Sequence, residues 1–293
     1  MGKHASWHLS EGEPLTGELT AMRLLGGGNA YEAYLAFDEI TYAPVVVKVL
    51  RPDQVEDGSS LRGLRREVAT LELVNHPVVV RALRHELEGP RPHLVLEHID
   101  GPRLSSLIRR HGPLQEQQYL PLAIDIASAL HYLRHVAVVH LDIKPSNVIM
   151  GAPARLIDLS VARDQDSAAA LTGQIGTDFY MAPEQADPGG AHGVPGPASD
   201  VWGLGATLFH AVAGYRPFDE GARDGAELEA RYPQLVEEPY ELPARTPAEV
   251  AKIVYATLEK DPANRPLPRE VSDALEPVLA RQPRAKLTYK VRG

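Results

Sequence analysis

Four polar side chains in two neighbouring stretches carry the clearest chemical signal. The run Val139-His140-Leu141-Asp142-Ile143-Lys144-Pro145-Ser146-Asn147-Val148-Ile149-Met150 is followed closely by Leu156-Ile157-Asp158-Leu159-Ser160. It sets Asp142, Lys144, Asn147 and Asp158 on adjacent segments. Two carboxylates, a carboxamide oxygen and a lysine suit metal-bound phosphate. Hard oxygen atoms hold a divalent cation, and a lysine offsets charge on the group in flight. A carboxylate beside a hydroxyl accepts or orients its proton.

Three earlier features bear on the same chemistry. Leu25-Gly26-Gly27-Gly28 lies between two strand-like runs, where glycines let backbone N–H groups approach a phosphate. Taken alone, it reads equally as a plain hairpin. Lys48 closes the β-branched run Val45-Val46-Val47, and a half-buried ammonium needs a partner. Glu67, three residues after Leu64 and four before Leu71, is a candidate on the inward helix face. The alternative is a surface pair between Glu67 and a nearby arginine.

The elements that must hold these groups fall into two textures. Strands are expected at Met22–Leu25, Ala30–Phe37 and Val45–Leu50, then around Val78–Leu83 and His93–Ile99. Between them Leu61, Leu64, Val68 and Leu71 recur at helical spacing, and His76-Pro77 should end that helix. After Asp100-Gly101-Pro102 the pattern turns helical, over 115–135, 199–213 and 247–259. The stretch 164–197, rich in Gly, Pro, Ala and Asp, reads as a long loop.

Composition sets the bounds. A chain of 293 residues, at about 150 per domain, holds one large domain or two ordinary ones. Apolar residues are 44% and charged residues 24%, as in an ordinary soluble globular protein. The net charge of −9 argues against a general nucleic-acid binder. The absence of cysteine removes disulfides, thiolate catalysis and zinc–cysteine sites. No apolar run approaches a membrane span, so a cytoplasmic location is expected. Gly2 and Ser6 match the loose myristoylation pattern, but so short a match reads as a simple translation start. His131 and His135 share a helix face without a third ligand, so a solvated face is expected rather than a metal site.

The ordered series of motifs resembles the eukaryotic-like, Hanks-type serine/threonine protein kinases, and Tyr180-Met181-Ala182-Pro183-Glu184-Gln185-Ala186 is similar to their bacterial branch. The likeness covers roughly residues 20–280. It implies an α+β, bilobal kinase fold: a small antiparallel-sheet N-lobe with one main helix over about 18–98, and a larger helical C-lobe over about 99–282. Residues 1–17 would be a lead-in and 283–293 a tail. It implies ATP with Mg²⁺, or Mn²⁺ in its place, as cofactors. It implies protein substrates with Ser or Thr, self-association for autophosphorylation, and no nucleic-acid partner.

Residue by residue, the resemblance implies Asp142 as the catalytic carboxylate and Lys144 on the γ-phosphate, with Asn147 and Asp158 holding metal ions. Leu25, Gly26, Gly28, Ala33 and Val46 would cover the nucleotide. Lys48 would reach the α- and β-phosphates, with Glu67 as its partner. Leu96 would be the gatekeeper, Glu97 to Ile99 the adenine-binding hinge, and Ile149 the floor. Glu184 would pair with Arg265, and Asp200 would anchor the catalytic loop. Ser167, Thr172 and Thr177 are candidate phosphosites.

Four departures stand out. Tyr31 replaces the third loop glycine and should stiffen or tilt the flap. Ala33 and Val46 change the roof in opposite directions, which conserves its volume. Leu141 stands where most relatives have an arginine that meets a loop phosphate, leaving Arg163 as a remaining candidate. Asp158-Leu159-Ser160 replaces Asp-Phe-Gly, and serine makes positive φ costly, which should restrict a flip of Asp158. None removes a catalytic group, so an active kinase is expected, with a pseudokinase acting as a nucleotide-dependent interaction module as the alternative. A small-molecule phosphotransferase fits less well, because Ala182-Pro183-Glu184 and Arg265 belong to protein-substrate kinases.

Overall fold

The computed structural model describes residues 5–222 and 227–283. The chain begins with β1 (Leu19–Gly27), β2 (Tyr31–Asp38) and β3 (Ala43–Leu50), followed by the helix α1 (Gly58–Leu73), then β4 (Ala82–Glu86) and β5 (His93–Glu97). The strands form one antiparallel sheet in the order β1-β2-β3-β5-β4. Burial alternates strictly along β2, with Tyr34 and Ala36 on one face and Ala33 and Leu35 on the other. The Val45–Leu50 run is covered on both faces, which is why it reads as an unbroken apolar stretch. On the outer face Leu15, Leu19, Tyr34, Ala36, Val45, Val47 and Val95 form a core of their own, with Trp7 and Leu9 packed on it.

Part of the expected 1–17 lead-in takes part in that core. The described part from Ala5 is a strap over the sheet. Trp7 Nε1 donates to the Leu50 carbonyl at 2.7 Å, and the Arg91 guanidinium lies 4.6 Å from the Trp7 ring centroid. Gly2 lies outside the described residues.

Asp57 caps α1 by accepting from Ser60 N at 2.7 Å. The helix buries Leu64, Glu67, Val68 and Leu71, and stops at Leu73, ahead of His76-Pro77. The strand expected near Val78–Leu83 sits later, at β4. Val79 instead makes an isolated parallel bridge to Leu156, so this run ties the sheet to the helical half.

The helical half contains α2 (Leu104–His111) and α3 (Glu116–His135), then β6 (Val138–Val139), β7 (Val148–Ile149), β8 (Arg155–Leu156) and β9 (Arg163–Asp164) as two short ladders. There follow α4 (Gln165–Ala169), α5 (Pro183–Ala186), α6 (Pro197–Ala213), α7 (Leu228–Arg231), α8 (Ala248–Thr257) and α9 (Pro268–Ala280). The stretch 164–197 is therefore not a bare loop, because α4 and α5 punctuate it. Helices α2 and α9 were not expected from the sequence. The core is continuous from Leu64, Val68 and Leu71 of α1 through Leu120, Ile126 and Leu130 of α3 to Trp202 and Phe209 of α6. The architecture is α+β and bilobal, as the resemblance implies.

Helix α6 is buried on nearly every side. Its glycines are places of close approach. A Cβ on Gly203 would stand 2.9 Å from Ile143, and one on Gly205 would stand 2.1 Å from Thr257 Oγ1. Gly203 thus lets the 140–147 loop lie directly on the helix.

Candidate active site

The two lobes face each other across a cleft of about 450 Å³. Leu25, Gly26, Ala33, Val46, Lys48 and Glu67 line it from above, with Leu96, Glu97 and Ile99 at the crossover. Lys144, Asn147, Ile149 and Asp158 line it from below. Gly28 is not among the lining residues. The Tyr31 ring lies under it, 3.5 Å from where a Gly28 side-chain carbon would stand. The antiparallel register sets Ala33 opposite Lys48 and Val46 opposite Leu96, so strand pairing alone brings roof and gatekeeper together.

Lys48 Nζ donates to Glu67 Oε1 at 2.8 Å and Oε2 at 2.7 Å, and to Asp158 Oδ1 at 2.9 Å. Lys48 and Glu67 are both buried, so Glu67 is not the surface pair that its position at the stripe's edge allowed. Burial works against the ammonium, but the carboxylates of Glu67 and Asp158 outweigh it and hold Lys48 well above its ordinary range. Burial also opposes ionisation of Asp158. Lys48 reverses that and keeps the carboxyl well below the usual carboxylate range.

A second knot gathers around Asp142, which lies just outside the cleft lining behind Lys144 and Asn147. Lys144 Nζ lies 2.7 Å from Asp142 Oδ2. Thr177 Oγ1 accepts from Lys144 Nζ at 2.6 Å and donates to Asp142 Oδ1 at 2.8 Å. Asn147 Nδ2 donates to Asp142 Oδ2 and to the Asp142 carbonyl, both at 3.0 Å. A single 3₁₀ turn at Pro145–Asn147 presents this amide. Thr177, singled out as a phosphosite, has its hydroxyl engaged in holding this pair. Ser167 and Thr172 are exposed.

The loop under Asp142 is fixed from α6. Asp200 accepts from His140 N at 2.8 Å and Leu141 N at 2.7 Å, and burial pushes its carboxyl up to about 7. Arg265 Nη1 and Nη2 donate to Glu184 at 2.6 and 2.8 Å, with both side chains fully buried. Glu97 accepts from Arg81 N at 2.8 Å and pairs with Arg155, which ties the crossover to β8.

The departures have definite outcomes. Leu141 is buried with Val139 and Ala168, against Val161, Leu171 and Ile175. Arg163 Nη1 donates to the carbonyls of Val161 and Ala162. Burial, with Arg66 nearby, pushes Arg163 down to about 10. Ser160 is not in a positive-φ conformation, so serine there carries no backbone strain. Positive φ falls instead on two neighbours of these departures, Leu141 at φ 64° and Asp158 at φ 72°. Tyr31 neither merely stiffens nor tilts the flap. Its ring centroid lies 3.9 Å from Lys48 Nζ, and its hydroxyl lies 3.4 Å from Asp158 Oδ2. A signal for this was present in the sequence: residues two apart share a sheet face, and Tyr31 precedes the roof residue Ala33 by two.

Asp158, held ionised, and the Asn147 carboxamide oxygen suit a divalent cation. Among the described residues no three His, Asp or Glu side chains form a metal-ligand cluster. A cation here would therefore take its other oxygens from phosphate and water. His131 and His135 are exposed.

Residues 19–275 match the protein kinase domain. The chain is 31% identical over 254 residues to serine/threonine-protein kinase PknB of Mycobacterium leprae, covering 83% of this chain and 40% of that protein. It is 32% identical over 265 residues to serine/threonine-protein kinase PknA of Mycobacterium tuberculosis, covering 87% of this chain and 59% of that protein. The chain thus spans about two fifths to three fifths of these relatives' length. Among the described residues no helix is long and apolar enough to cross a membrane. With a kinase domain matched across most of its length, on a bilobal fold with paired lysines and carboxylates facing one cleft, the chain belongs to the protein kinase family.

Proposed function

We propose that the chain is an ATP-dependent serine/threonine protein kinase acting in the cytoplasm. The observation that carries this reading is one cleft lined by Lys48, Glu67, Asp158, Lys144 and Asn147, with Asp142 bonded to the last two. Adenine would lie between Ala33 and Val46 above and Ile149 below, against Leu96, with Glu97 to Ile99 at its edge. Lys48 would bind the α- and β-phosphates, and Glu67 holds it in place. Asp158 and Asn147 would hold Mg²⁺, with Mn²⁺ able to replace it. When bound, that ion would neutralise phosphate charge. Asp142 orients the incoming hydroxyl and accepts its proton as the γ-phosphoryl group leaves ADP. Lys144 offsets the charge that develops on the transferring oxygens. Lys144 with Pro145 after Asp142, and Thr177 four residues before Met181, match the serine/threonine pattern of the family and support Ser and Thr as acceptors. Self-association would let one copy phosphorylate another at Ser167 or Thr172.

The test is transfer from labelled ATP to a generic protein substrate, beside Asp142→Ala. Transfer abolished by the substitution supports the kinase. Nucleotide binding without transfer in either protein overturns it and supports the pseudokinase reading, which the contact of Tyr31 with Lys48 favours.

A further inference from the structure

Tyr31 is the one cleft residue whose position conflicts with the occupancy just proposed. Its ring centroid stands 3.9 Å from Lys48 Nζ, and its hydroxyl makes a long 3.4 Å contact with Asp158 Oδ2. These are the two groups assigned to phosphate and metal. A phosphate oxygen bonded to Lys48 and a cation bonded to Asp158 need the volume that the phenol occupies. The adenine end, between Val46, Leu96 and Ile149, does not involve Tyr31.

We infer that Tyr31 is a gate on the phosphate–metal end of the cleft, closed in this structure and swung out when a metal–nucleoside triphosphate enters. This rests on the nucleotide reading of the cleft.

The backbone around Tyr31 confines the motion to the side chain. Tyr31 opens β2 in register with Leu50. Its carbonyl accepts from Gly28 N at 3.0 Å, and Arg51 N donates to the Ala30 carbonyl at 3.0 Å. Arg51 Nε adds a bond to the Gly28 carbonyl at 2.9 Å. Arg51 is held in turn by Glu32 at 3.0 Å and by the Ala5 carbonyl at 3.0 Å. The glycine-rich hairpin is therefore pinned from outside, and the ring leaves by rotating about its own side-chain bonds. The Tyr31 hydroxyl donates to Asp158 Oδ2 from this position.

The closed gate opposes triphosphate binding and is neutral toward a ligand without phosphates. A partly desolvated cation–π contact together with one weak hydrogen bond corresponds to about a tenfold change in affinity. The experiment measures dissociation constants of Mg–ATP and of adenosine for the full chain, for Tyr31→Gly and for Tyr31→Phe, with thermal melting to confirm folding. The expected result is Mg–ATP bound about tenfold tighter by Tyr31→Gly, with adenosine unchanged. Tyr31→Phe, which keeps the ring and loses the hydroxyl, should fall between. Mg–ATP affinity that is unchanged or weaker in both variants overturns the gate. So does a parallel shift of ATP and adenosine, which would assign Tyr31 to general packing of the roof. Failure of all three proteins to bind even adenosine overturns the nucleotide reading, and the gate with it.

Discussion

Leu141 decides how the segment from Arg163 to Glu184 is held. In a chain with arginine there, order in that segment would depend on a phosphate for the arginine to meet. Here Leu141 is 2% exposed and packs with Val139, Ala168, Val161, Leu171 and Ile175. Its left-handed backbone is held on both sides, by Asp200 on its N–H and by Gln185 Nε2 at 2.8 Å on its carbonyl. Apolar burial replaces charge pairing as the latch. Leu141→Ala removes three carbons, at about 0.8 kcal/mol each, or about 2.4 kcal/mol before any cavity effect. If all of that falls on the latch, the open population of the segment rises about 50-fold. Amide exchange across residues 165–171 and peptide phosphorylation measure the two consequences. Leu141→Ala should accelerate exchange and lower transfer together, while a Ser167→Ala/Thr172→Ala double substitution leaves both nearly unchanged. A loss of transfer greater than about tenfold in the double substitution, with melting unchanged, would refute the apolar latch.

Other consequences are equally open to measurement. Arg265→Met leaves Glu184 buried with, among the described residues, Ser199 as its remaining side-chain partner, and should destabilise the chain by about 3–5 kcal/mol in denaturant titration. Trp7→Ala removes the strap's bond to Leu50 and its packing on the sheet; the expected outcome is a lower melting temperature and a raised KM for ATP, with kcat little changed. Burial, with Arg216 nearby, pushes His210 down to about 4, so the fold prefers neutral imidazole. Its contribution is full above the ordinary histidine value near 6.5 and is lost as pH falls toward 4. The difference in melting temperature between the wild type and His210→Gln should therefore shrink on acidification over that range. Gly203→Val would drive a side chain into Ile143 and displace the loop that carries Asp142; transfer should fall more than tenfold, with ATP affinity little affected.

The main positions of the site were legible because their information is local. A β-branched run ending in Lys48 specifies a buried strand. A helical stripe puts Glu67 inward, and Pro145 starts the turn that presents Asn147. Each depends on the two periodicities of the backbone, which spacing alone records. Strand β4 was misplaced because Val78–Val80 is apolar for a different reason: it binds β8 rather than the sheet edge.

What the amino-acid order determined by itself was therefore the family, the bilobal α+β fold and the identity of the groups that face the cleft. Tertiary structure alone decided the rest. Tyr31 meets an Asp158 that is 127 residues away. Thr177 closes on a carboxylate 35 residues earlier. Leu141 packs into the segment that carries Ala168 and Ile175, and residues from Ala5 onward cover the sheet through Trp7. The physical reason is common to all four. Which way a side chain points, and what desolvates it, is set by distant elements arriving against it, and no spacing within one element encodes that arrival.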